Sequence, residues 1–151
     1  VVSPNVMDVV NALATTMFTT HNYADEMPYV ANLAMFNPFD FFLEFVSAKD
    51  ANGLPLYPTA SIFNRVVIGN MLIIPSEDMT AGQVFLADMT KYNVSNYEAP
   101  SVTIGRINDD LIKNQLVILY EDRHHAFVKE LDKKAFLKGT IATLKTALLK
   151  P

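Results

Sequence analysis

SVTIGRINDDLIKNQLVILYEDRHHAFVKELDKKAFLKGT, residues 101–140, holds the longest β-prone runs of the chain. Within it, residues 101–107 and 112–121 are β-prone runs on either side of the turn formers Asn108, Asp109 and Asp110, and residues 125–131 are a third. Upstream, residues 71–74, 83–87 and 92–97 are shorter β-prone runs separated by turn residues such as Pro75-Ser76-Glu77-Asp78. Before residue 65 the period changes. Ser3 and Pro4 predict a capped helix start, and Val6, Val9, Val10, Leu13 and Met17 supply one apolar helical face. Residues 22–28 read as a loop and the apolar run 29–36 as a buried strand. Asn37-Pro38 repeats the cap-and-proline start, with Phe39, Phe42, Leu43 and Val46 as a second helical face, and Asp50-Ala51-Asn52-Gly53 stops it. Two prolines keep residues 54–58 irregular. From Thr140 on, Ile141, Leu144 and Leu148 share a face and predict a final helix. The predicted class is α+β, with helices early and antiparallel strands late.

The chain has 151 residues, half of them hydrophobic and 19% charged, which suits one domain or two small lobes rather than a disordered segment. The longest run without Asp, Glu, Lys or Arg is residues 9–24, 16 residues, short of the ~20 that a membrane helix needs, so no membrane partner is expected. Absence of cysteine excludes disulfides and thiol catalysis. Charge is uneven. Residues 1–100 carry three basic and ten acidic groups, net −7, whereas residues 101–151 carry nine and six, net +3. That split predicts two lobes with different surroundings.

Little in the sequence points to catalysis. The glycines at 53, 69, 82, 105 and 139 are at least 13 residues apart, so no phosphate-cradling loop or dinucleotide fingerprint can be assembled. His124 and His125 beside Glu121 and Asp122 are the one metal-like cluster, but neighbours on a strand point to opposite faces, which argues for surface histidines and against a metal. Asp109 and Asp110 read as turn formers rather than a catalytic pair. Phe39, Phe41, Phe42 and Phe45 fit helix packing and a subunit contact better than a ligand pocket. Lys129, Lys133, Lys134 and Lys138 have only Phe136 among them, not the interleaved aromatics of a specific nucleic-acid reader, and suit a solvated face or weak phosphate contact. No cofactor is expected.

Residues 101–140 resemble the C-terminal strands of the major capsid protein of tailed bacteriophages. The pieces that carry the resemblance are the run 102–107, Asp109-Asp110, Ile112-Lys113-Asn114, the run 116–120, Glu121-Asp122-Arg123, and Ala135-Phe136. Gly69-Asn-Met-Leu-Ile-Ile-Pro-Ser76, Met79-Thr-Ala-Gly82 and Val84-Phe-Leu-Ala-Asp88 fit the same pattern in order and spacing. So does the helix, strand, Asn37-Pro38, helix, Asp50-x-x-Gly53 arrangement, and the likeness spans nearly the whole chain.

The resemblance implies a mixed axial-domain sheet flanked by helices over residues 1–97, returning antiparallel peripheral-domain strands over 98–140, and a tail at 141–151. An amino-terminal arm, an extended loop and a spine helix should precede Val1. It implies a structural role: a homo-oligomer of pentamers and hexamers tiling an icosahedral shell around double-stranded DNA. Assembly would take place in the bacterial host cytoplasm, with portal, scaffold or protease as partners, and the virion capsid would be the final location. Basic residues near the shell floor would ease repulsion from packaged phosphates. Some members cross-link a Lys to an Asn of a neighbouring subunit with a carboxylate as base, and Asn114 and Glu121 fall where that pattern requires them. Seven residues along one strand would put the two about 23 Å apart on opposite faces, hence in different subunits' sites. Otherwise Asn114, Glu121 and Arg123 are subunit-interface residues, Glu121 and Arg123 pairing with each other or with a neighbour. Two alternatives remain: a bacterial nanocompartment shell of the same fold, and a small α/β binding module or enzyme that uses the phenylalanine-rich region.

Overall fold

In the computed structural model, which describes residues 4–20, 27–58, 65–106 and 112–149, the chain opens with helix α1 (Val6–Thr19). Its cap is not the expected Ser3-Pro4 pair but Asn5. The Asn5 side chain accepts from the Asp8 N–H, and Asp8 accepts from the Asn5 N–H, each at 2.9 Å, so each backbone donor finds its acceptor in the other residue's side chain. Strand β1 (Leu33–Phe36) follows, then a single α-helical turn α2 (Pro38–Phe41) that widens into a π-helical turn at Phe42–Val46. Strands β2 (Val66–Ile68), β3 (Met71–Pro75) and β4 (Gln83–Ala87) come next, and a short 3-10 turn leads to two long strands, β5 (Tyr92–Gly105) and β6 (Val117–Val128). A second 3-10 segment, strand β7 (Phe136–Thr140) and helix α3 (Ile141–Leu148) end the chain.

The α+β class forms as expected: one mixed sheet of order β2-β3-β1-β4-β7 and a separate antiparallel pair, β5-β6. In the larger sheet only β1 and β3 run parallel, Leu33 opposite Leu72 and Phe36 opposite Pro75. The two sheets belong to different compact units. Val1–Lys91 and Lys129–Pro151 form one, and Tyr92–Val128 the other, so the unit edges fall at 91/92 and 128/129 rather than at the expected 97/98 and 140. Strand β7, expected among the peripheral strands, pairs with β4 in the larger sheet. The expected charge contrast also dissolves. The first unit carries nine basic and eleven acidic residues and the second three and five, so each is net −2.

The core of the first unit is α1, the sheet and the aromatic turn after β1. Val6, Val9, Val10 and Met17 of α1 are buried with Ala34 and Phe36 of β1, Ile73 of β3, and Val84 and Leu86 of β4. Leu13 is half-buried on the same face, as its spacing predicts. The second helical face is a correction. Phe41 and Phe45 are fully buried, whereas Phe39, Phe42 and Leu43 are exposed. Six of the eight residues 39–46 are apolar, so any face looked apolar and periodicity could not choose. The π turn, in which the Ser47 N–H reaches the Phe42 carbonyl at 2.9 Å, then resets the angular step. Phe45 is the centre of the resulting cluster, with ring centroids 5.4 Å from Phe36, 5.2 Å from Phe41 and 5.4 Å from Tyr57. Glu44 beside it reaches across to Lys145 of α3 at 2.5 Å.

Two widely separated sequence pieces form one joint. Asn37 caps α2 by accepting from the Phe39 N–H, and its amide donates to the Met79 carbonyl at 2.7 Å. Asp40 accepts from the Gly82 N–H at 2.6 Å, and the Gly82 carbonyl accepts from the Ile141 N–H at 2.9 Å. Gly82 has φ +76°, a left-handed conformation that glycine adopts without cost, so the turn before β4 meets both α2 and the start of α3. At Gly139 the requirement is space, since an added Cβ would lie 2.6 Å from Leu144 Cδ1.

Phe45→Ala should lower unfolding free energy by about 3–5 kcal/mol, and the exposed Phe39→Ala should change it by no more than about 0.5 kcal/mol, both read by urea denaturation. Tyr57 supplies a pH test. Burial first, and the Asp8 carboxylate second, hold its phenol above the ordinary 10.0. The folded state therefore favours the neutral phenol. That contribution is complete below about pH 10 and is lost as pH rises through the raised value. Urea midpoints of the wild type and Tyr57→Phe should run parallel from about pH 8 to 10 and diverge above, the variant falling less steeply.

Candidate functional site

Strands β5 and β6 form a two-stranded ribbon of 14 and 12 residues, and no residue of either strand is buried. This corrects the expected arrangement of separate strands at 92–97, 101–107, 112–121 and 125–131. Pairing runs from Tyr92 opposite Val128 to Gly105 opposite Val117, with register shifts between Asn96 and Glu98 and between Glu98 and Ser101. Pro100 lies within the second shift. A proline has no N–H for the ladder, but at a bulge the strand continues past it. The break in the sequence pattern is a kink and not an end.

The register fixes which side chains share a face. Tyr92, Val94, Asn96, Val102 and Ile104 of β5 lie with Ile118, Tyr120, Asp122, His124, Ala126 and Val128 of β6. Near the tip of this face, Val102, Ile104, Ile118 and Tyr120 are 61%, 61%, 64% and 62% exposed. The opposite face carries Glu98 opposite Arg123, Ser101 opposite Glu121, and Thr103 opposite Leu119.

The expected site residues fall at different places along this ribbon. Arg123 and Glu121 share a face, as expected, but Arg123 pairs with Glu98 at 3.5 Å, a residue the sequence reading did not single out. Asn114 is not on a strand: it sits in the turn 112–114 with φ +52°, before β6 begins at Val117. The expected 23 Å along one strand from Asn114 to Glu121 therefore does not apply. His124 and His125 point to opposite faces. His124 lies 3.9 Å from Asp122, and His125 stacks on Phe127 with centroids 5.6 Å apart and meets the edge of Tyr97 at 6.3 Å. Among the described residues no group of three or more His, Cys, Asp or Glu could hold a metal ion. Asp109, Asp110 and His21 lie outside the described residues.

The chain on either side of the ribbon is tied down within the first unit. Asp88, buried at the end of β4, accepts from the Val30 N–H at 3.0 Å, the Thr90 N–H at 3.1 Å and the Thr90 hydroxyl at 2.6 Å. Its own N–H donates to the Ala135 carbonyl and its carbonyl accepts from the Lys91 N–H. Tyr29, 1% exposed, donates its hydroxyl to the Leu131 carbonyl at 3.2 Å. Lys91 lies over the Tyr29 ring, 5.7 Å from its centroid, and 4.0 Å from Asp132. The segments that enter and leave the ribbon, 88–91 and 129–135, are thus fastened to each other and to residues 29–30. The Asp-x-Thr step at 88–90 is an Asx-turn signal available in the sequence; the roles of Tyr29 and Lys91 depend on long-range contacts.

Among the described residues, the first unit has shallow grooves. One of about 390 Å³ lies along Asn11, Thr15, Phe18 and Tyr29–Ala31, and one of about 350 Å³ includes Asn32, Asn70, Asp88 and Lys91. The second brings polar groups together, but the Asp88 carboxylate and the Asn32 side-chain oxygen already bind backbone donors of the fold. No protein-family model and no curated protein matches the chain.

Asp88→Ala should cost about 3 kcal/mol, since it removes the buried acceptor that holds the Val30 and Thr90 donors together, and Asp88→Asn should cost less because one acceptor remains. Hydrogen exchange should localise the loss: amides of residues 88–91 and 129–135 should lose protection before those of β1 and β3.

Proposed function

We propose that the chain is a structural subunit of an icosahedral shell of the tailed-phage or prophage kind, assembling as pentamers and hexamers around double-stranded DNA. The observation that carries this reading is the bare ribbon. Two strands cannot bury a face against one another, and an isolated two-stranded ribbon is at best marginally stable in water. A ribbon of this length with apolar side chains open to solvent suits a protein whose surfaces are covered by neighbours, and a shell subunit needs such surfaces rather than a pocket. In this reading the five-stranded unit is the axial domain and the ribbon supplies the returning strands of the peripheral domain.

Further support comes from the pieces that carry the resemblance. Asn37-Pro38 and Met79-Thr-Ala-Gly82, far apart in sequence, are hydrogen-bonded to each other, and Asp88 holds the segment that enters the ribbon. The role is structural. Asn114 and Glu121 are reserved for subunit contacts, with Lys–Asn cross-linking as the one chemical step they would serve, and Lys129, Lys133, Lys134 and Lys138 for weak contact with packaged phosphates.

Electron microscopy of the full-length protein, carrying the arm, extended loop and spine helix that the resemblance implies before Val1, should show regular hollow shells at high concentration. Monomers alone, without particles, would overturn the proposal. Nucleic acid inside the particles would support the phage reading, and a protein cargo would favour the nanocompartment alternative of the same fold.

A further inference from the structure

The ribbon face that ends in Val102, Ile104, Ile118 and Tyr120 has a distribution that matches a reversed copy of itself. Its base is apolar through Tyr92, Val94, Ala126 and Val128, its middle is polar through Asn96, Asp122 and His124, and its tip is apolar again. Turning a second ribbon end over end, about an axis lying between the two faces and crossing the strands at residue 123, puts tip over base twice. The same operation places Asp122 of each copy against His124 of the other, where an imidazole N–H meets a carboxylate. Within one ribbon these two groups already lie 3.9 Å apart, so imidazole donors and carboxylate acceptors alternate around the axis. The opposite face does not have this property: about the same centre it would set Arg123 against its own copy. Laying the ribbons tip over tip would instead crowd the two Asp122 carboxylates together.

From this distribution we propose that the Val102–Ile104–Ile118–Tyr120 face is a two-fold contact surface for a second copy of this chain, the ribbons packing face to face in opposite directions. This deepens the shell reading and rests on its premise that copies of the chain meet. Such a contact is isologous, so each residue is used twice. Its size sets how it must be detected. Twelve residues at about 3.3 Å by two strands about 4.8 Å apart give roughly 400 Å² per copy. That is half the roughly 800 Å² per partner of a standard stable interface, so the contact is weak alone and needs trapping.

The cysteine-free chain makes trapping specific. In the reversed arrangement position 120 of one copy faces position 126 of the other across sheets about 10 Å apart, within reach of a short bismaleimide. Within one chain the two positions are about 20 Å apart, outside that reach. The full chain carrying both Tyr120→Cys and Ala126→Cys should give a covalent dimer on a denaturing gel, and each single variant should stay monomeric. The pair Ile118→Cys with Val128→Cys should behave in the same way. A dimer from Tyr120→Cys alone would overturn the reversed packing, and a ladder beyond the dimer would overturn the closed two-fold contact. Monomer from both double variants in preparations where microscopy shows shells would overturn the ribbon contact and leave the shell reading standing. Dimers without shells would do the reverse.

Discussion

The carboxylate of Asp88 is the interaction on which the candidate site depends. A buried charge is costly unless its oxygens are fully used, and here one oxygen takes the Val30 N–H while the other takes both the N–H and the hydroxyl of Thr90. The backbone of the same residue bonds to Ala135 and Lys91. One residue thereby sets the positions of the strand preceding the 3-10 turn, the chain entering the ribbon and the chain returning from it. The ribbon buries no side chain of its own, so local order where its strands begin and end must come from this anchoring rather than from a core.

The two units divide the physical work differently. In the first, burial does most of it: β1 is central, parallel to β3 on one side and antiparallel to β4 on the other, and its Ala34 and Phe36 are sealed beneath α1 and the phenylalanine cluster. In the second, stability rests on ladder hydrogen bonds and cross-strand pairs such as Glu98 with Arg123, which at exposed positions contribute little. The first unit is thus held by its own core, and the second has no buried side chain to hold it. For the shell subunit proposed above this would be a usable asymmetry, because a covering contact would add order only where it formed.

Much of the first unit was legible because its signals are local. The α1 face, the Asn37 cap, the β4 bounds and the final helix follow from spacing and capping chemistry alone. The misreadings share a different cause. The α2 segment had too many apolar residues for periodicity to choose Phe41 and Phe45. The ribbon was divided into pieces because Pro100 and two register shifts interrupt the alternation without ending the strand. Glu98 as the partner of Arg123, and Tyr29 as the anchor of Leu131, depend on pairings across 25 or more residues, which no window along the chain contains. The β-prone neighbours of Asn114 predict a strand there, yet its left-handed φ of +52° puts it in the turn, a conformation asparagine tolerates better than most residues.

Charge shows most clearly how a one-dimensional reading can mislead. Along the sequence the first hundred residues are strongly acidic and the remainder basic, which invites the idea of two oppositely charged lobes. Folding returns Lys129, Lys133, Lys134, Lys138 and Lys145 to the acidic first unit, where Lys145 meets Glu44, Lys133 meets Glu130 and Lys91 lies near Asp132. Each unit ends at net −2, so no unit is a basic body drawn to polyanions by its overall field. In the proposed shell, any contact with packaged phosphates would then be local, made by individual lysines of an acidic unit. Such contact would be weak, strongly salt-dependent and indifferent to sequence, as the proposed shell's hold on its genome would require.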